Sequence, residues 1–155
     1  MMLPRLTPTE FWRDFIAEGR QFHKAALGGL KRTEVFTPEI LYNMLAMAME
    51  KYIMGLLMYR KNLPDNHTFR DLVDGLRRME ARSENYSGPR LTDELAGELL
   101  ALDAFQEICS VDGYARQPPS NEEILRMSRT CAKLQEYVDA GLPPETTTRD
   151  GAAAG

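Results

Sequence analysis

Arg60 and His67 are the first residues of this 155-residue sequence whose types and spacing suggest chemistry. They close the two ends of RKNLPDNH, with six residues between them. An imidazole can take a proton from a ribose hydroxyl, and a guanidinium can stabilise the charge that builds on a phosphate, so the pair suits metal-free RNA cleavage. A structural reading competes. In it Arg60 neutralises the C-terminal dipole of its helix and His67 belongs to the turn that opens the next one. Short spacings of this kind also arise by accident.

Glu50 and Lys51 form the second candidate, because they are the only charges inside the apolar run Ile40 to Tyr59. Neighbouring helical residues stand about 100° apart, so the two do not pair with each other. They either contact a ligand, such as a nucleotide at a subunit seam, or form a narrow solvated stripe or pair across the bundle with Arg13 or Arg20. Met44, Met47, Met49, Met54 and Met58 lie on the same helix and suit either an adaptable docking surface or core filling. Tyr114 and Arg116 are a third candidate, a ring to stack on a base and a fork to grip a phosphate. Their bland alternative is packing over the bundle end and bridging to a helix terminus. His23 has no second ligand at metal spacing and reads as structural. Arg77, Arg78, Arg82 and Arg90 make a basic run that Glu80 and Glu84 dilute; a solvated helix face explains it. A glycine-rich phosphate loop, a nucleophile elbow and a carboxylate cluster with a supporting His are missing from the sequence, which disfavours the commoner enzyme classes. No metal or cofactor is expected.

Composition narrows the class further. The formal net charge is −4 and the sequence pI about 5.3, so nucleic-acid binding requires a local patch. The chain is 43% hydrophobic and 27% charged, which suits one packed domain. Cys109 and Cys131 fall within helical patterns and form no metal motif, so reduced structural cysteines in a cytoplasmic protein are expected. The first residues lack the apolar core of a secretory signal. Two adjacent charges in the Ile40–Tyr59 run argue against a membrane span, since each costs roughly 2.5–3.5 kcal/mol at the bilayer centre.

Start and stop signals then predict an all-α, up-and-down bundle of about five helices. Thr7 and Glu10 form a capping box before a helix that Gly28-Gly29 ends near Leu27. Thr37-Pro38-Glu39 opens a second, from Pro38 to about residue 61, ahead of Leu63-Pro64. Asp65 or Asn66 caps a third, from about His67 to Arg82, and a connection of only a few residues makes helices two and three antiparallel neighbours. Thr92 opens a fourth, with Leu95, Leu99, Leu102, Phe105 and Cys109 inward, ending near Asp112-Gly113. Ser120 and Glu123 form another capping box before a fifth, which Gly141 stops. Residues 1–142 are expected to form one domain and 143–155 a mobile tail.

Over roughly residues 10 to 140 this pattern resembles the HEPN domains of small prokaryotic proteins. The resemblance rests on the Ala-to-Glu-Lys segment Ala46–Lys51 in an apolar second helix, Pro64 in the following turn, His67 at the third helix, and Tyr114-Ala115-Arg116-Gln117-Pro118 before the last. Gln117 stands where the family carries an aromatic, and Met54 where many members have a second Lys. The resemblance implies a homodimeric helical bundle linked to nucleotide binding, to nucleotidyltransferase partners and, in some branches, to RNA cleavage. The reading it favours is a non-catalytic module that binds a nucleotide or a partner protein through Glu50, Lys51, Tyr114 and Arg116. The alternatives are a toxin-type, metal-independent ribonuclease using Arg60 and His67, and a helical adaptor that only binds proteins.

Overall fold

The computed structural model describes residues 11–82, 86–111 and 119–144, and the backbone alone over 104–111. Five helices pack as a bundle: α1 Trp12–Gly29, α2 Pro38–Tyr59, α3 Phe69–Arg82, α4 Asp93–Val111 and α5 Asn121–Gly141. There is no strand among the described residues.

Local chemistry sets most of the boundaries. The Thr37 hydroxyl accepts the Ile40 N–H with Pro38 preset in the first turn of α2, and Ser120 accepts the Glu123 N–H at 3.1 Å. Thr92 does the same for Leu95 at 3.0 Å. The Thr7–Glu10 capping box, the end of α4 at Asp112-Gly113, the side chains of Phe105 and Cys109 and nearly all of the expected tail lie outside the described residues. At the end of α2 the chain leaves the helix after Tyr59, two residues early, through Lys61 in the left-handed region at φ 55°.

The third helix corrects two expectations. Neither Asp65 nor Asn66 caps it; α3 begins at Phe69, where Thr68 accepts the Asp71 N–H. The Asp103 carboxylate, reaching over from α4, accepts the N–H groups of Phe69 and Arg70 at 2.8 and 2.7 Å. Nor is α3 antiparallel to α2. His67 meets Glu50, a methyl group at Gly75 would touch Leu57, and Arg82 meets Asn62, three contacts that climb both segments together. The connection is nine residues, 60–68. At about 3.3 Å per residue, that is long enough to run back down α2 and start again alongside it. Three helices therefore point one way (α2, α3, α5), and α1 and α4 point the other.

α2 is the axis of the molecule. It packs against α1, α3 and α5, and of its 22 residues only Glu39, Ile40, Asn43 and Met47 are exposed. Leu45, Met49, Tyr52, Ile53, Leu56 and Leu57 are fully buried, each contributing roughly 1.5–3 kcal/mol of transfer free energy. α1 lies closest, because Gly55 has no side chain: a Cβ there would come within 2.5 Å of Ile16 Cδ1. Met49, Met54 and Met58 fill core space, while Met44 and Met47 reach the surface.

Candidate functional site

Glu50 and Lys51 leave α2 in different directions, as their helical angle requires, and both find partners. Glu50 Oε1 lies 2.8 Å from His67 Nδ1, on the α3 side. Lys51 Nζ lies 2.7 Å from Glu18 Oε2 and 4.4 Å from the centre of the Phe15 ring, on the α1 side. The cross-bundle partners are thus Glu18 and His67, in place of Arg13 and Arg20. With Nδ1 held by the carboxylate, the His67 side chain is 62% exposed.

Arg60 is committed elsewhere. Its Nη2 donates to the Gly141 carbonyl at 2.9 Å, satisfying the C-terminus of α5, a neighbouring helix, instead of that of α2. Its guanidinium is also stacked between two rings, 5.3 Å from Tyr59 and 5.2 Å from Tyr86. Arg60 and His67 share no partner, and each is held by its own contacts. Tyr114 and Arg116 lie outside the described residues.

The rings around Arg60 belong to a longer ladder. Arg13 stacks on Trp12 at 4.8 Å, Trp12 packs on Tyr59 at 5.0 Å, and Arg90 reaches the far end at Tyr86, 6.0 Å away. Beside the ladder Glu80 is 7% exposed, and both its carboxylate oxygens accept the Leu91 N–H. Burial pushes the hydroxyl pKa of Tyr86 and Tyr137 up, so both stay neutral. Glu80 was legible in principle, since it falls four residues after Leu76 on the apolar stripe of α3. The ladder was not, because it joins three separate segments.

Between α4 and α5 a seam holds two clefts. One, of about 290 Å³, is lined by Tyr42, Leu102, Met127 and Thr130, and the other, of about 360 Å³, by Leu95, Tyr137 and Lys133. Glu98 divides them, accepting the Thr130 hydroxyl at 2.9 Å and pairing with Lys133 at 3.4 Å. Sequence reasoning missed this seam because nothing local distinguishes a helix face that meets its neighbour through polar contacts.

His23 is buried against the Tyr52 hydroxyl at 3.1 Å, and burial holds its pKa below the usual value in spite of a hydrogen bond with Gln135. It is structural. Burial pushes the Cys131 thiol up to about 12, which leaves it unreactive. Among the described residues no three His, Cys, Asp or Glu side chains cluster to hold a metal, and no helix is long and apolar enough to cross a membrane.

No family model, curated protein or solved structure matches this chain.

Proposed function

We propose that the protein is a non-catalytic, HEPN-like binding module that forms a homodimer through one face of the α1–α2 hairpin and presents its bundle to a nucleotide or to a partner protein such as a nucleotidyltransferase. The observation that carries this reading is the uncovered stripe of α2. Ile40, Met44 and Met47 share one side of the helix with Lys51, at spacings of three, four and seven residues. Ile40 is 44% exposed and Met47 37%. Across the hairpin, Lys51 packs on Phe15, so Phe22, two turns further along the antiparallel α1, falls beside Met44. Phe11 extends the same row at 36% exposure. Contiguous apolar surface of this kind marks interaction sites, and methionines adapt to the surface they meet.

The ion pairs Lys51–Glu18 and Glu50–His67 border the stripe. They supply the polar rim that an isologous interface needs. The adaptor reading uses the same stripe and differs in having no nucleotide dependence.

Native mass spectrometry of the purified chain tests the proposal, with Met47→Glu as the variant. A wild-type dimer that becomes a folded monomer on this substitution supports the seam. A wild-type monomer, or a dimer indifferent to Met47→Glu, overturns it. One observation favours the ribonuclease reading instead: a carboxylate orients an exposed imidazole, as a general base requires. Loss of RNA cleavage in a folded His67→Ala variant would establish that alternative.

A further inference from the structure

The end of the bundle at which α2, α3 and α5 finish carries an array of cations, although the whole chain is acidic. Lys61, Arg78, Arg82 and Arg90 are all exposed there. Their proximity follows from contacts. Arg82 Nη1 reaches the side-chain oxygen of Asn62, next to Lys61, and Asn62 in turn donates to the Gly75 carbonyl at 2.8 Å. Arg78 stands one turn from Arg82 on the same face of α3, about 6 Å away along the axis. Arg90 Nη1 donates to the Glu80 carbonyl in the last turns of α3, and its guanidinium lies over the Tyr86 ring, as does that of Arg60.

None of these four cations is in an ion pair among the described residues. Of the two acids that dilute them in sequence, Glu80 is buried and spent on the Leu91 N–H, and Glu84 lies outside the described residues. Asp74, one turn before Arg78 on α3, is exposed, and Asp71 accepts the Thr68 hydroxyl. Three helix C-termini and two N-termini meet at this end, a sum of about −0.5 charge. Arg60, satisfying the Gly141 carbonyl, already offsets that. The four remaining cations exceed what the helix ends require.

We infer that Lys61, Arg78, Arg82 and Arg90 form a docking strip for the phosphodiester backbone of nucleic acid. A lone phosphate engages one or two such groups, whereas a row of them spread over a turn, a helix and a linker suits a chain of phosphates. Tyr86, the ring beside the strip, is 7% exposed and too enclosed to stack on a base, so the strip reads charge and not sequence. Leu63 is the exposed large apolar side chain beside Lys61, too little apolar surface to anchor the strip in a membrane.

The strip is tested by anisotropy with a labelled single-stranded RNA oligonucleotide and its DNA counterpart. Four neutralised phosphates predict a slope of log affinity against log salt of about −2.8, or a roughly fifty-fold loss between 50 and 200 mM salt. Arg78→Glu with Arg82→Glu should weaken binding about tenfold or more and halve that slope. The control is Arg126→Glu with Arg129→Glu: both residues are exposed, and Arg129 lies roughly 18 Å along α5 from its C-terminus. This pair changes the net charge identically and should leave binding in place, with helical circular dichroism confirming the fold of both variants. Equal affinity for the RNA and DNA probes fits backbone recognition; a preference for RNA adds a 2′-hydroxyl contact to the same strip. Absence of binding at low salt, equal loss in both double variants, or binding to anionic vesicles without binding to either oligonucleotide would overturn the inference. Met47→Glu should leave oligonucleotide binding intact, so this result and the fate of the proposed dimer are independent.

Discussion

His67 Nδ1 lies 2.8 Å from Glu50 Oε1, and this one contact ties the α2–α3 connection to the middle of α2. It fixes how far back the chain travels before α3 begins, and it keeps the imidazole apart from Arg60, whose guanidinium is held at the end of α5. The pair is partly solvated, with side-chain exposures of 62% and 25%, so it contributes at most about 1 kcal/mol. His67→Ala should therefore lower the urea midpoint only slightly and leave an added RNA substrate as intact as with the wild type. Cleavage by the wild type that disappears in this variant would count for the ribonuclease instead.

Asp103 is the stronger clamp on the same helix. Its two oxygens each take one of the backbone N–H groups that α3 cannot satisfy internally, and its charge complements the helix dipole. Asp103→Ala should cost about 1–2 kcal/mol. Amide exchange should rise first at Phe69 and Arg70. Protection unchanged at those two amides would show that the α3 terminus does not depend on α4.

Stability should also fall in mild acid because of His23. Its folded pKa is lowered, chiefly by burial, so between that value and the unfolded value near 6.5 the unfolded chain binds more protons. The contribution is complete above about pH 6.5 and is lost as pH falls towards the folded pKa, by at most about 1.4 kcal/mol per unit. Urea midpoints at a series of pH values, compared with those of His23→Gln, isolate this effect. A curve of the same shape in the variant would assign it to other groups.

Helix boundaries were legible where a cap is a local event. Thr37, Thr92 and Ser120 each bond a backbone N–H three residues on, so their pattern is written within four residues. Asp103 capping α3 spans more than thirty residues of chain and carries no such pattern. The direction of α3 failed for a related reason: Lys61 ends α2 early and α3 starts late, turning a short loop into a nine-residue return. At the candidate site, the angular separation of Glu50 and Lys51 followed from helical geometry alone. Their partners Glu18 and His67 depended on the path of the chain between helices.

Glu80 offers the sharpest test of the buried polar end of the bundle. Its carboxylate accepts the Leu91 N–H at 2.8 and 3.2 Å, with Tyr86 and Tyr137 close by, and the residue is 7% exposed. Glu80→Ala would strand the Leu91 donor and remove a buried carboxylate beside Tyr86 and Tyr137, an expected loss of about 2–4 kcal/mol. Glu80→Gln keeps one oxygen as acceptor for Leu91 and should cost less than half as much, which separates the hydrogen bond from the charge. The two variants also move the neighbouring cation strip in one direction, since each removes a buried negative charge beneath it. Chemical denaturation that ranks wild type, Glu80→Gln and Glu80→Ala in falling stability is the expected outcome. Equal midpoints for all three would mean that Leu91 finds another acceptor and that the carboxylate is dispensable to the fold.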